Sequence, residues 1–178
     1  MSKSRILNIE ELVGIVAPEV ILDAVETSRK LTALRVPHAL VGGLAVGLHG
    51  HPRATKDVDF LVGEEAFDTI QPILTYRNEL AEVVRMGEVD LLAVPPDRQV
   101  LGAGLSIPGS GEIPVVGVAE LILMKLDAGR AQDLADIHHL LDQGANVDQV
   151  GQFLATHAPD VVDRFARLLD DRDAGNKM

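Results

Sequence analysis

Three acids sit in stretches that are otherwise apolar. Asp57 and Asp59 bracket Val58 in "DVDFLV", and Asp90 stands between Val89 and Leu91 in "EVDLLAV". Residues two apart on a strand point to the same side, so Asp57 and Asp59 share a face, with backbones roughly 6.6 Å apart along the strand, while Val58, Phe60 and Val62 turn to the other. Carboxylates so placed can converge on divalent cations of the kind that activate an attacking oxygen and stabilise a leaving one in phosphoryl transfer. An adjacent strand would bring Asp90 beside them, and three oxygen-donor acids suit magnesium, two ions being expected, with manganese as a substitute. Upstream, "ALVGG" ends an apolar run in Gly42-Gly43. A glycine turn opening a helix lets backbone N–H groups approach an anion such as a nucleoside triphosphate. Alone, an Asp-x-Asp step is also what a solvated strand edge looks like, and a glycine pair often only turns the chain. Their order and spacing together point to chemistry.

The elements that must hold these residues follow from periodicity. Ile9, Leu12, Val13 and Val16, then Val20, Ile21, Ala24 and Val25 after Pro18, predict two amphipathic helices before Pro37. "HALVG" reads as a strand, "LAVGLHG" as a helix stopped by Gly50 and Pro52, and "DVDFLV" as the next strand. "EEAFDTIQPIL" has acids in its first turn and reads as a helix, and "LAEVVRMGEVDLLAVP" as two strands turned near Met86-Gly87-Glu88. A Gly/Pro-rich segment from Pro95 to Gly117 leads to four helical stretches: "VAELILMKLDAG", "RAQDLADIHHLLDQG", "NVDQVGQFLATH" and "PDVVDRFARLLDD". The tail "RDAGNKM" is expected to fray. The division expected is 1–116 for a core with N-terminal helices and 117–178 for a helical region packed on it.

At 178 residues the chain is long enough for a real core. It has no cysteine, which removes thiolate nucleophiles, thiolate zinc sites and disulfide scaffolds. No apolar run reaches the roughly 20 residues of a membrane span, and the N-terminal residues meet acids too soon for a secretory signal, so no membrane partner is expected and the cytoplasm is the expected compartment. The net charge of −11 is spread over both halves. A long nucleic acid would therefore have to be met by a local cluster such as Arg53, Lys56, Arg77 and Arg85. Phosphate-loop, dinucleotide and nucleophile-elbow motifs are missing.

The pattern of Gly42-Gly43, 13 residues from Leu44 to Lys56, an apolar-flanked Asp-x-Asp and a later strand acid resembles the nucleotidyltransferase superfamily typified by polymerase beta. "RATKDVDFLV" is most similar to its small bacterial members, including abortive-infection and toxin-antitoxin types. "MKLDAGRAQDLADIHHLL" resembles the helical motif that follows the sheet there. The resemblance implies an α/β (α+β) fold: a mixed-sheet nucleotidyltransferase core flanked by helices, with a helical C-terminal region. It implies metal-dependent transfer of a nucleoside monophosphate from an NTP to an acceptor hydroxyl on a protein, tRNA or small molecule. Gly42 and Gly43 would hold the triphosphate, Asp57 and Asp59 the metals, and Asp90 would complete the site and help activate the acceptor. Lys125 would reach the phosphates. Asp133 and Asp136 match the acids of the helical motif, orienting Arg130 or the acceptor, and Gln132 stands where relatives often have a basic residue. Gly43 stands where relatives often carry serine. Arg53 and Lys56 either touch phosphate or balance the acids. The acidic surface favours a protein or small-molecule acceptor over a long RNA, and the subtype implies a cognate toxin or antitoxin. The alternative is a non-catalytic nucleotide-binding or antitoxin-like module of the same fold. His49 and His51 read as loop histidines, and His138 and His139 as surface or boundary residues.

Overall fold

The computed structural model describes residues 6–70, 73–80, 89–109 and 111–175. Helix α1 spans Pro18–Ala33, with proline at its first position, where a missing N–H costs nothing. Strand β1 (His38–Leu40) leads into α2 (Gly42–Leu48), and β2 covers Val58–Val62. A hairpin follows, β3 (Phe67–Ile70) and β4 (Ile73–Tyr76), and then β5 (Val89–Ala93). Four helices complete the described chain: α3 (Val118–Ala128), α4 (Ala131–Asp142), α5 (Val147–His157) and α6 (Val162–Gly175).

The architecture is mixed α/β. β2 is the central strand of a three-stranded sheet, antiparallel to β1 and parallel to β5. The two faces of β2 serve separate cores, as its alternation requires. Val58, Phe60 and Val62 join Leu40, Val89 and Leu91 against α1 and the N-terminal turn around Leu12. Leu61 joins Ala39 and Val41 against Leu121, Ile122, Leu126 and Ile137 of α3 and α4. Asp57 and Asp59 share the face of Leu61, so the acids look toward the C-terminal helices.

Three expected elements differ. Ile9–Leu12 makes only a 3-10 turn; Gly14, at φ 91°, ends the periodic run before a helix can propagate. The helix expected from Glu64 is a 3-10 turn over Glu64–Ala66 followed by the β3–β4 hairpin. Thr69, Ile70, Ile73 and Thr75 are β-branched and lose χ1 freedom in a helix, and Pro72 has no N–H to donate. The hairpin pairs Phe67 with Tyr76, whose rings lie 5.0 Å apart. At the C-terminus, α6 continues to Gly175, through part of the segment expected to fray. The first strand of the pair predicted before Asp90, its turn and Arg85 lie outside the described residues.

The segment after Pro95 is tied to the sheet. Leu40 donates its N–H to Pro114 O at 2.7 Å and accepts from Val116 at 3.1 Å, while His38 donates to Ser106 O at 3.0 Å. Buried Arg98 then grips the helical region, with both Asp127 oxygens at 2.8 and 2.9 Å and both Asp160 oxygens at 2.6 and 3.2 Å.

Candidate active site

Gly42 opens α2 with φ 64°, and a Cβ there would fall 1.9 Å from Asp59 Oδ2. Any side chain at this position would displace the carboxylate. The two are also joined through the backbone, since Val41 N–H donates to Asp59 O at 2.9 Å. The turn and the strand acid are therefore one structural unit. A Cβ on Gly43 would lie 2.9 Å from Thr55 Oγ1 and 3.4 Å from Arg53 Nη2.

Asp59 is the register partner of Asp90 across parallel strands, which puts their side chains on one face. Asp59 is half-buried, and Asp57 and Asp90 are exposed. Burial pushes the Asp59 carboxyl above the usual carboxylate range; repulsion from Asp90 and Asp57 adds to this, and Lys125 and Arg130 oppose it. Among the described residues, no hydrogen bond or ion pair neutralises these three carboxylates. All-oxygen donors that no hydrogen bond or ion pair engages fit a hard divalent cation. Among the described residues, however, no three His, Asp or Glu side chains stand close enough to form a closed metal cage. The donor set suits the ion, and the ligands would have to turn inward on it.

The helical motif forms a buried charge network. Gly129, at φ 64°, ends α3, and Arg130 starts α4 as its N-cap, so two helices meet at this point. Lys125 is buried and gives its ammonium to Asp133 Oδ1 at 2.9 Å and Asp136 Oδ2 at 2.7 Å. Asp136 is fully buried and takes a two-pronged guanidinium from Arg53, at 3.0 and 2.9 Å, and the Gln132 amide at 3.1 Å. Burial would raise the Asp136 carboxyl, but the bonds from Arg53, Lys125 and Gln132 outweigh it and hold it down to about 2. Burial acts the same way on Asp133, and Arg130 and Lys125 again prevail, keeping it below the usual range. Arg130 itself is exposed and donates to Asp133 at 2.7 Å. Lys56 is exposed.

His49, expected as a loop histidine, stands in the turn that caps α2 and is buried there, donating its Nε2–H to Val116 O at 2.8 Å. Burial lowers its proton affinity. His51 stacks on His139 with ring centroids 3.6 Å apart, linking the loop after α2 to α4.

Sequence reasoning missed Arg98 and Thr55. Arg98 lies in a Gly/Pro-rich stretch with no periodicity to mark it, and its partners are 29 and 62 residues away. Thr55 was legible only as a polar loop residue between Arg53 and Asp57. A cavity of about 750 Å³ lies at the other end of the strands, between Val62–Glu65 and Gln99–Leu105, and is lined by none of the predicted site residues.

No protein-family model matches the sequence, and no curated protein matches it. Among solved structures the chain is similar to an antigenic nucleotidyltransferase-like protein from Paracoccidioides brasiliensis, with a TM-score of 0.45 and 17% identity over 90% of this chain and 94% of that one. So distant a likeness says nothing of this chain's chemistry. No helix among the described residues is long and apolar enough to cross a membrane.

Proposed function

We propose that this protein is a magnesium-dependent nucleotidyltransferase that moves a nucleoside monophosphate from an NTP to an acceptor hydroxyl. The observation that carries the reading is that Asp59 Oδ2 lies 1.9 Å from the point a Cβ on Gly42 would occupy, with Asp59 in register with Asp90. It puts metal-ligating oxygens directly against a backbone turn that has no side chain to fend off a phosphate.

In this reading Asp57, Asp59 and Asp90 would hold the cations, two Mg²⁺ or Mn²⁺. When bound, these supply charge neutralisation of the phosphates and polarisation of the reacting oxygens. The acceptor oxygen forms a bond to the α-phosphorus while the bond from that phosphorus to the bridging oxygen breaks, and pyrophosphate leaves with the electron pair. The acceptor proton passes to Asp90, one of the two exposed acids of the face. Arg53, Lys125 and Arg130 outnumber Asp133 and Asp136 by one charge, and Lys125 and Arg130 are felt at Asp59. That surplus draws the triphosphate to the acids, with Lys56 at the exposed rim. Rate acceleration comes from positioning and electrostatics, without a covalent enzyme intermediate.

The net charge of −11 favours a protein or small-molecule acceptor over a long RNA, because a phosphate backbone needs a basic footprint. A cytoplasmic toxin-antitoxin or abortive-infection setting, with a cognate partner protein, follows from the sequence resemblance. The test is incubation with each NTP labelled at the α-phosphate and with Mg²⁺, in lysate and with purified tRNA. Label moving to a protein or small molecule supports the reading. No label on any acceptor, together with no pyrophosphate release, sinks it.

A further inference from the structure

Neither the strand acids nor the buried cations account for one hydroxyl in the loop between α2 and β2. Thr55 is half-buried, and its Oγ1 and Cβ lie 2.9 and 3.2 Å from the point that a Cβ on Gly43 would occupy. The hydroxyl is barely spent: among the described residues its one bond is a long contact of 3.4 Å to Asp57 O. The loop around it is pinned. Arg53 is forked on Asp136, His51 is stacked on His139, and β2 begins at Val58. The two glycines of the turn therefore face different partners, Gly42 the carboxylate of Asp59 and Gly43 the hydroxyl of Thr55.

We infer that Thr55 is a nucleotide-binding residue of this site, its hydroxyl donating to a phosphate oxygen of the NTP. Gly43 is glycine because that hydroxyl takes the volume a side chain would fill. The inference rests on the nucleotidyl-transfer reading above. Side-chain donors are scarce on this side of the turn. Asp59 can only accept, and Arg53 commits Nε and Nη2 to Asp136 and Nη1 to Ala54 O. A hydroxyl is a donor that rotates freely and needs no counter-charge, so it serves a phosphate without disturbing the acids beside it.

The test is calorimetric titration of the full chain with each NTP and Mg²⁺, in wild type, Thr55→Val, Thr55→Ser, Thr55→Ala and the pair Gly43→Ser with Thr55→Ala. Thr55→Val keeps the shape and removes the hydroxyl, and it should weaken binding about tenfold or more, as loss of a hydrogen bond to a charged oxygen does. Thr55→Ser should stay within about twofold of wild type. The pair, which carries the hydroxyl on residue 43 in the same volume, should recover about fivefold over Thr55→Ala alone. Wild-type affinity in Thr55→Val overturns the assignment. If Thr55→Val does not fold, equal affinities in Thr55→Ser and Thr55→Ala overturn it instead. Wild type that binds no NTP removes the nucleotide site itself, and this assignment with it.

Discussion

Replacing Asp136 with asparagine keeps the volume and removes one negative charge from beneath two cations. The carboxyl is held down to about 2 against an unfolded value of 3.8. At roughly 1.4 kcal/mol per unit, that difference is worth about 2–3 kcal/mol at neutral pH. Lys125 and Arg53 then remain in place with less to pair with, and breaking a buried pair on one side costs about 3–5 kcal/mol. Asparagine still accepts one bond and Asp133 still holds Lys125, so the lower end applies: about 3 kcal/mol, or a Tm drop of about 6–12 °C for a domain of this size. The sign with pH is fixed by the depressed value. The contribution is complete above the unfolded pKa and is lost as pH falls through the folded one, so the gap between wild type and Asp136→Asn should narrow from pH 4 toward pH 2. Urea unfolding across that range measures it. The exposed Asp142→Asn, which loses a surface pair with Arg172, should change stability by less than about 1 kcal/mol and serves as control. A gap under about 1 kcal/mol at pH 7, or one that does not change with pH, would refute the reasoning.

Asp59→Asn should have opposite effects on stability and function. Because burial and its acidic neighbours raise the Asp59 carboxyl, the folded state loses stability as pH rises through that value, so without metal the variant should melt higher than wild type at pH 7 and equally below the carboxylate range, while transfer falls by orders of magnitude. Gly42→Ala, with its φ of 64° and its Cβ on the Asp59 carboxylate, should lose about 1–2 kcal/mol by thermal melt and show no calorimetric NTP binding. Arg98→Met removes the fork that joins Asp127 and Asp160 and should lower Tm by about 4–8 °C, with proteolysis increased in 95–117 rather than in the sheet.

The strand acids and the glycine turn were readable from sequence because each is fixed by local rules. Period-two alternation put Asp57 and Asp59 opposite Phe60, and the left-handed backbone at Gly42 is the one that glycine favours. The order of the helical stretches after Gly117 was readable for the same reason, with Gly129 and Gly144 as stops. What escaped depends on long-range pairing. The hairpin at Phe67–Tyr76 has acids placed as if to start a helix, and only cross-strand pairing decides against it. The commitment of Lys125 to Asp133 and Asp136, and of Arg53 to Asp136 across 83 residues of chain, could not be seen in one-dimensional spacing. His49 had no local mark of burial, since its partner is 67 residues away.

The most direct measurement of the central claim is the thermal stability of wild type and Asp59→Asn with each NTP, once with Mg²⁺ and once with EDTA. Binding to the native state alone adds about 2.7 kcal/mol at a hundredfold excess over Kd, or about 5–11 °C here. A rise of that size in wild type with NTP and Mg²⁺, lost both in EDTA and in Asp59→Asn, is the result the nucleotidyltransferase reading predicts. An unshifted wild type with every NTP, or a shift that persists in EDTA and in Asp59→Asn, would contradict it.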